Sequence, residues 1–260
     1  MMSVADIIRN FSLSELRQLG SWFRVKHGLD ITLLGGWAVY SYNAYMGSFD
    51  IDCLGPVDPF TSQLNIYMQA HGYVLEPESS LGAASETWRK PVVVGKETIG
   101  AIHIDACDFD FPNVFKENPE RQIPYGLCLQ NEMVRRRLVD NEYFYVPIKE
   151  LLLLYKTKAA RDRNYVLTHE RLPNHIRQRQ QGKVQKDYSD MAALIDPRHG
   201  GAIDGSQLGD LIRECDAPFV LETISGLPDQ PSVSDYCLAR SAEKSDLIRW
   251  VRRTVQDSGL

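Results

Sequence analysis

Ser48-Phe-Asp50-Ile-Asp52-Cys is the stretch whose residue types and spacing could do chemistry. On a strand, Asp50 and Asp52 share one face, while Phe49, Ile51 and Cys53 point the other way, into a core. Two carboxylates so placed repel each other unless a cation sits between them. A hard divalent ion, Mg²⁺ or Mn²⁺ in its place, suits paired carboxylates combined with phosphate oxygens. A third acid would hold a second ion or serve as a base. Ala101-Ile-His-Ile-Asp105 offers one, because Asp105 and His103 alternate with Ile102 and Ile104. If this strand neighbours the first, Asp50, Asp52 and Asp105 converge; Asp108 and Asp110 follow closely, and either could replace Asp105. An isolated Asp-x-Asp is commonly a solvated edge, and a lone His103 reads as a partly buried structural residue. The alternation with apolar residues is what lifts this pair above that background.

Gly35-Gly36 lies just upstream, between a short apolar run and a helical one. Glycines at a strand-to-helix turn let the backbone approach a phosphate, and a helix N-terminus favours the anion. Further on, Lys156 and Arg163 are seven residues apart, on one helical face. Lys183–Asp187 and Lys186–Asp190 have i,i+4 spacing, which by itself describes a solvated, ion-paired helix. Residues 156–186 carry nine Lys and Arg against two acids, in a chain whose formal charge is −5. That local excess beside a nucleotide site could hold a triphosphate or an RNA backbone, or be a solvated face. Arg135-Arg136-Arg137 reads more simply as a solvated face.

Elements must position these groups. Ser12 and Glu15 have capping-box spacing, with Phe11 and Leu16 as a hydrophobic staple, and Leu13, Leu16, Leu19 and Phe23 recur on one face. A helix from about Ser12 to Gly28 follows. Next come a strand over 31–34, a helix over 37–46 stopped by Gly47, and the acidic strand over 48–54 closed by Gly55-Pro56. A helix over 61–71 precedes extended segments at 72–75, 87–94, 99–105 and 142–146, with a loop over 112–125. After Pro147 the character turns helical, over 148–163, 183–195 and about 234–255, the last with room for a break, and with 164–182 as a polar, basic connection. The reading is therefore an α/β (α+β) chain, with a mixed α/β half over 1–146 and a helical half over 147–260.

At 260 residues and 43% hydrophobic, the chain can bury a core, and nothing in it suggests low complexity. Net acidity excludes a protein that binds nucleic acid over its whole surface. Cys53, Cys107, Cys128, Cys215 and Cys237 are scattered and form no C-x-x-C, so they read as reduced buried thiols rather than zinc ligands or disulfides. The N-terminus lacks the pattern of a signal peptide and no apolar run is long enough to span a bilayer, which points to the cytoplasm and no membrane partner.

Taken together, Gly35-Gly36, the Asp50/Asp52 strand and the later Asp105 strand resemble the nucleotidyltransferase superfold of DNA polymerase beta. More narrowly, the chain resembles AbiEii-type nucleotidyltransferase toxins of toxin–antitoxin systems. Ser48-Phe-Asp50-Ile-Asp52 matches the family's acidic strand. Lys156, Ala159 or Ala160, and Arg163 approximate its Lys-x-x-x-Ala-x-x-x-Arg helix, with the Ala-to-Arg spacing met by Ala159. Lys183-Val-Gln-Lys186-Asp187-Tyr-Ser-Asp190 matches its Arg-x-x-Lys-Asp-x-x-Asp motif with Lys183 for Arg, and Gly36 stands for a Ser. The likeness covers roughly residues 31–195. It implies a mixed sheet flanked by helices, with a C-terminal helical domain closing a nucleotide cleft. It also implies transfer of a nucleoside monophosphate from an NTP to an acceptor, tRNA or another RNA, under restraint by an antitoxin protein. Asp50, Asp52 and Asp105 would be the catalytic metal ligands, with Lys156 catalytic. Gly35, Gly36, Ser48, Lys156, Arg163, Lys186, Asp187 and Asp190 would contact the nucleotide. The other readings are a small-molecule nucleotidyltransferase of the aminoglycoside-modifying kind, an inactive member that binds RNA or a partner, and a metal-dependent nuclease.

Overall fold

The computed structural model describes residues 2–55, 62–76 and 85–260. The chain divides into two compact units: residues 1–111 with 125–147, and residues 112–124 with 148–260.

The first unit is α/β. Its elements are α1 (Val4–His27), β1 (Thr32–Leu33), α2 (Gly35–Tyr42), β2 (Ile51–Gly55), α3 (Ser62–Ala70), β3 (Val74–Leu75), β4 (Ser85–Val94), β5 (Glu97–Asp108), β6 (Val134–Val139) and β7 (Glu142–Pro147). The seven strands form one mixed sheet in the order β3-β4-β5-β2-β1-β7-β6. β2 pairs parallel with β5, and β1 parallel with β7; the other neighbours are antiparallel. Alternation along β2 and β5 puts Ile51, Cys53, Ile102 and Ile104 in the core, each no more than 1% exposed. The residues between them, Asp52, His103 and Asp105, are half-buried. Pro56 and Thr61, expected to close β2 and open the next helix, lie outside the described residues.

Several expectations change. α1 begins eight residues before Ser12, capped by Ser3 in a capping box with Asp6. Ser12 is instead fully buried and its hydroxyl accepts the Trp37 indole N–H at 3.0 Å. Glu15, also buried, accepts from the Tyr73 hydroxyl and pairs with Lys90. The cap-like spacing of Ser12 and Glu15 thus serves tertiary contacts made mid-helix. Gly28 does end α1, in the left-handed conformation at φ +65. α2 starts at Gly35 itself and stops at Tyr42, with Asn43 rather than Gly47 as its C-cap. Phe49 is 40% exposed rather than in the core, because pairing begins only at Ile51. β6 was not foreseen, although Asp140 and Asn141 join it to β7 with positive φ of 45° and 73°. That two-residue turn between β-rich runs is a hairpin signal.

The second unit is helical: α4 (Lys149–His169), α5 (Asn174–Ile195), α6 (Gly205–Glu214), α7 (Val220–Ser225), α8 (Pro231–Ala239) and α9 (Lys244–Asp257). The polar stretch read as a connection is helical apart from a break of four residues at 170–173. It completes α4 and begins α5, and is held by the Asn164 amide donating to the Tyr188 hydroxyl and by Arg177 donating to the Leu167 carbonyl, while Leu151–Leu154 of α4 and Met191–Ile195 of α5 are buried. α6 and α7 were not foreseen, and a break at Arg240–Glu243 separates α8 from α9. Residues 112–124 join this unit because Phe115 is fully buried edge-on to Phe219, at 4.8 Å between ring centroids. The Lys116 backbone N–H also donates to Asp162 of α4. Among the described residues, no helix is long and apolar enough to cross a membrane.

Candidate functional site

Asp52 and Asp105 are register partners across the parallel β2–β5 pair, as are Ile51 and Ile104. The sheet therefore sets the two carboxylates side by side on its half-buried face while their apolar neighbours anchor both strands beneath. Thr87, opposite Asp105 on β4, donates its hydroxyl to Asp105 Oδ1 at 2.7 Å. Asp108 lies three residues along, opposite Gly55, so the position beside Asp52 belongs to Asp105. Asp110 falls beyond the end of β5.

Gly35 shows why a glycine is needed at the strand-to-helix turn. Its φ is +61, and a Cβ built on it would overlap the Asp52 carboxylate. The Leu34 N–H donates to the Asp52 carbonyl at 2.8 Å, so turn and acidic strand are tied by backbone as well. The N-terminus of α2 thus opens beside a carboxylate. Gly36 is buried within the first turn of α2, and Ser48 is buried before β2.

Asp50 sits in a bend one residue ahead of β2. His103 Nδ1 lies 3.3 Å from Asp50 Oδ1, and His103 Nε2 lies 3.6 Å from Glu76 Oε1. Among the described residues, no group of three or more His, Cys, Asp or Glu is gathered as a metal-holding cluster. The donor set nonetheless suits a hard cation. Asp52 and Asp105 supply oxygens from adjacent strands, and Mg²⁺ is commonly held by one or two carboxylates plus substrate phosphates and water. The two thiols threaded through this region stay protonated. Burial, then Asp105 and Asp52, push Cys107 up to about 12, and burial together with neighbouring anions also raises Cys53. Cys53, Cys107, Cys215 and Cys237 are free thiols.

The second unit gathers the other expected residues into one network between α4 and α5. Lys156, 8% exposed, places Nζ 2.7 Å from Asp190 Oδ2 and 3.2 Å from Asp187 Oδ1. Arg163 pairs with Asp187, and Lys186 with Asp190 at 2.9 Å. Burial alone would raise the Asp190 carboxyl, but Lys156 and Lys186 together hold it below the ordinary carboxylate value. Asp187 and Asp190 are each 3% exposed, so this is an interior ion network rather than a solvated helix surface. Much of the local basic excess is likewise matched inside the unit, with Lys158 on Asp162 and Arg161 on Glu117.

The Arg135–Arg137 run is structural in its contacts. Arg135 donates to the Glu132 carbonyl, Arg136 to Asp30, and Arg137 to the Ser41 carbonyl. Sequence reasoning missed the roles of Thr87 and Glu76 beside the acids, since nothing local marks which residue a neighbouring strand will place there. No protein-family model matches the chain, and no curated protein matches it.

Proposed function

We propose that this chain is a divalent-cation-dependent nucleotidyltransferase that moves a nucleoside monophosphate from an NTP to an acceptor and releases pyrophosphate. The observation that carries the reading is the in-register pairing of Asp52 with Asp105 beside a glycine turn that only Gly35 can make. Asp52 and Asp105, with Asp50, would hold Mg²⁺ or Mn²⁺ against the triphosphate. The bound ion would offset charge on the attacking and leaving oxygens of an in-line displacement. Gly35 and Gly36 let the backbone N–H groups at the start of α2 approach a phosphate without an intervening side chain. Asp105, oriented by the Thr87 hydroxyl, would accept the proton of the acceptor hydroxyl.

Within the second unit, Lys156, Asp187 and Asp190 act first as the brace between α4 and α5. Arg163 and Lys186, with side chains 29% and 28% exposed, are the more accessible cations of that network and would be the ones to meet a phosphate. The resemblance to AbiEii-type toxins makes RNA, tRNA included, the acceptor we propose, and an antitoxin the proposed partner. The test is incubation with each α-³²P-labelled NTP, Mg²⁺ and total RNA, followed by gel separation. Label in RNA that vanishes in Asp52→Ala supports the reading. Equal labelling by Asp52→Ala would overturn it. Label transferred only to small molecules would favour the aminoglycoside type.

A further inference from the structure

We propose that His103 is a positioning residue that holds the Asp50 carboxylate in the orientation a divalent cation needs; this rests on reading Asp50 and Asp52 as cation ligands. The two aspartates are aimed by different means. Asp52 is within β2, and the β2–β5 ladder sets its direction. Asp50 precedes the ladder, in a bend, so no strand pairing sets its direction. Extending the register of Ile51 and Ile104 by one residue brings Asp50 beside His103. There Nδ1 meets Oδ1 at 3.3 Å, with Nδ1–H as the donor to a carboxylate.

His103 is itself held. Its side chain is 16% exposed, and Nε2 faces Glu76 Oε1 at 3.6 Å. Glu76 is tied to β4 by its backbone N–H, which donates to the Thr87 carbonyl at 2.9 Å, and its carboxylate lies 3.9 Å from Arg89 Nε. Arg89 is in turn the register partner of His103. Asp50, His103, Glu76 and Arg89 thus form one line of alternating partners across the sheet, next to the pair Asp52 and Asp105. A carboxylate that ligates a metal is ordinarily oriented by such an outer partner, and removing the partner weakens metal binding about 10- to 100-fold.

The experiment measures Mn²⁺ affinity of the full chain without NTP, from the electron paramagnetic resonance signal of free Mn²⁺. His103→Ala should bind Mn²⁺ at least about tenfold more weakly than the unaltered protein. His103→Asn, whose amide N–H can stand near the position of Nδ1–H, should recover most of the affinity. His103→Gln, whose longer amide reaches the Nε2 side, should not. The Asn–Gln contrast decides the question even if His103→Ala does not fold. Equal affinity in all three variants and the unaltered protein would overturn the positioning role while leaving the cation site standing. If the unaltered protein bound no Mn²⁺, or Asp52→Ala bound it equally well, the cation reading itself would fall, and this proposal with it.

Discussion

Asp52 and Asp105 stand directly opposite each other across two parallel strands, with Thr87 donating to Asp105 from the third. Like charges so placed destabilise a sheet, by roughly 0.2–1 kcal/mol for a cross-strand pair. Asp52→Asn should therefore raise stability in EDTA by about that much, while abolishing nucleotidyl transfer. Urea unfolding with EDTA and with Mg²⁺ checks this. The gain should shrink or reverse when Mg²⁺ is present, and an unchanged gain would argue against a cation between the carboxylates.

Gly35 and Gly28 both have positive φ, but in different surroundings. A Cβ at Gly28 meets nothing within 4 Å, whereas one at Gly35 collides with Asp52. Gly28→Ala should cost only the left-handed backbone penalty, about 1–2 kcal/mol. Gly35→Ala should cost more, and should remove activity by displacing Asp52. Chemical denaturation of the two variants side by side measures the difference.

Lys156 bridges two buried carboxylates, whose remaining charge Arg163 and Lys186 offset. Lys156→Met should destabilise by about 3–5 kcal/mol, as expected when one partner of a buried ion network is removed. The network also carries a pH signature. The folded state depresses the Asp190 carboxyl below its ordinary value of 3.8, so the unfolded chain takes the proton first. The stabilisation is whole at neutral pH and is lost as pH falls below that value. Asp190→Asn should flatten this part of the acid unfolding curve, measured by circular dichroism.

Asp140 and Asn141 turn the β6–β7 hairpin with both residues at positive φ. Asn141→Gly relieves the cost of that conformation where a side chain pays it. Stability should rise by up to about 1 kcal/mol, with activity unchanged, as thermal unfolding would show.

Much of the site was legible as local pattern. Period-two alternation set Asp52 apart from Ile51 and Cys53, and Asp105 apart from Ile104, because strand geometry reverses a side chain at every residue; Asp50, expected on the face of Asp52, lies in a bend ahead of the strand, where that alternation does not set its direction. The glycine pair marked the strand-to-helix turn for the same reason, since few residues tolerate φ above zero. Pairing was not local. The register of β2 against β5, segments far apart in the chain, is what sets Asp105 rather than Asp108 beside Asp52. Ser12 and Glu15 carried the spacing of a helix cap, yet burial against Trp37, Tyr73 and Lys90 gave them other work and let α1 begin at Val4. Residues 164–182 read as a polar, basic connection, but they complete α4 and begin α5 apart from the break at 170–173.

By itself the sequence determined the α/β character of the first half and the helical character of the second, both consequences of backbone geometry acting within a few residues. Only the tertiary structure decided which carboxylate partners Asp52, that His103 meets Asp50, and that Lys156, Asp187 and Asp190 are interior. Those depend on register and burial, which arise when segments far apart in the chain exclude water from between them.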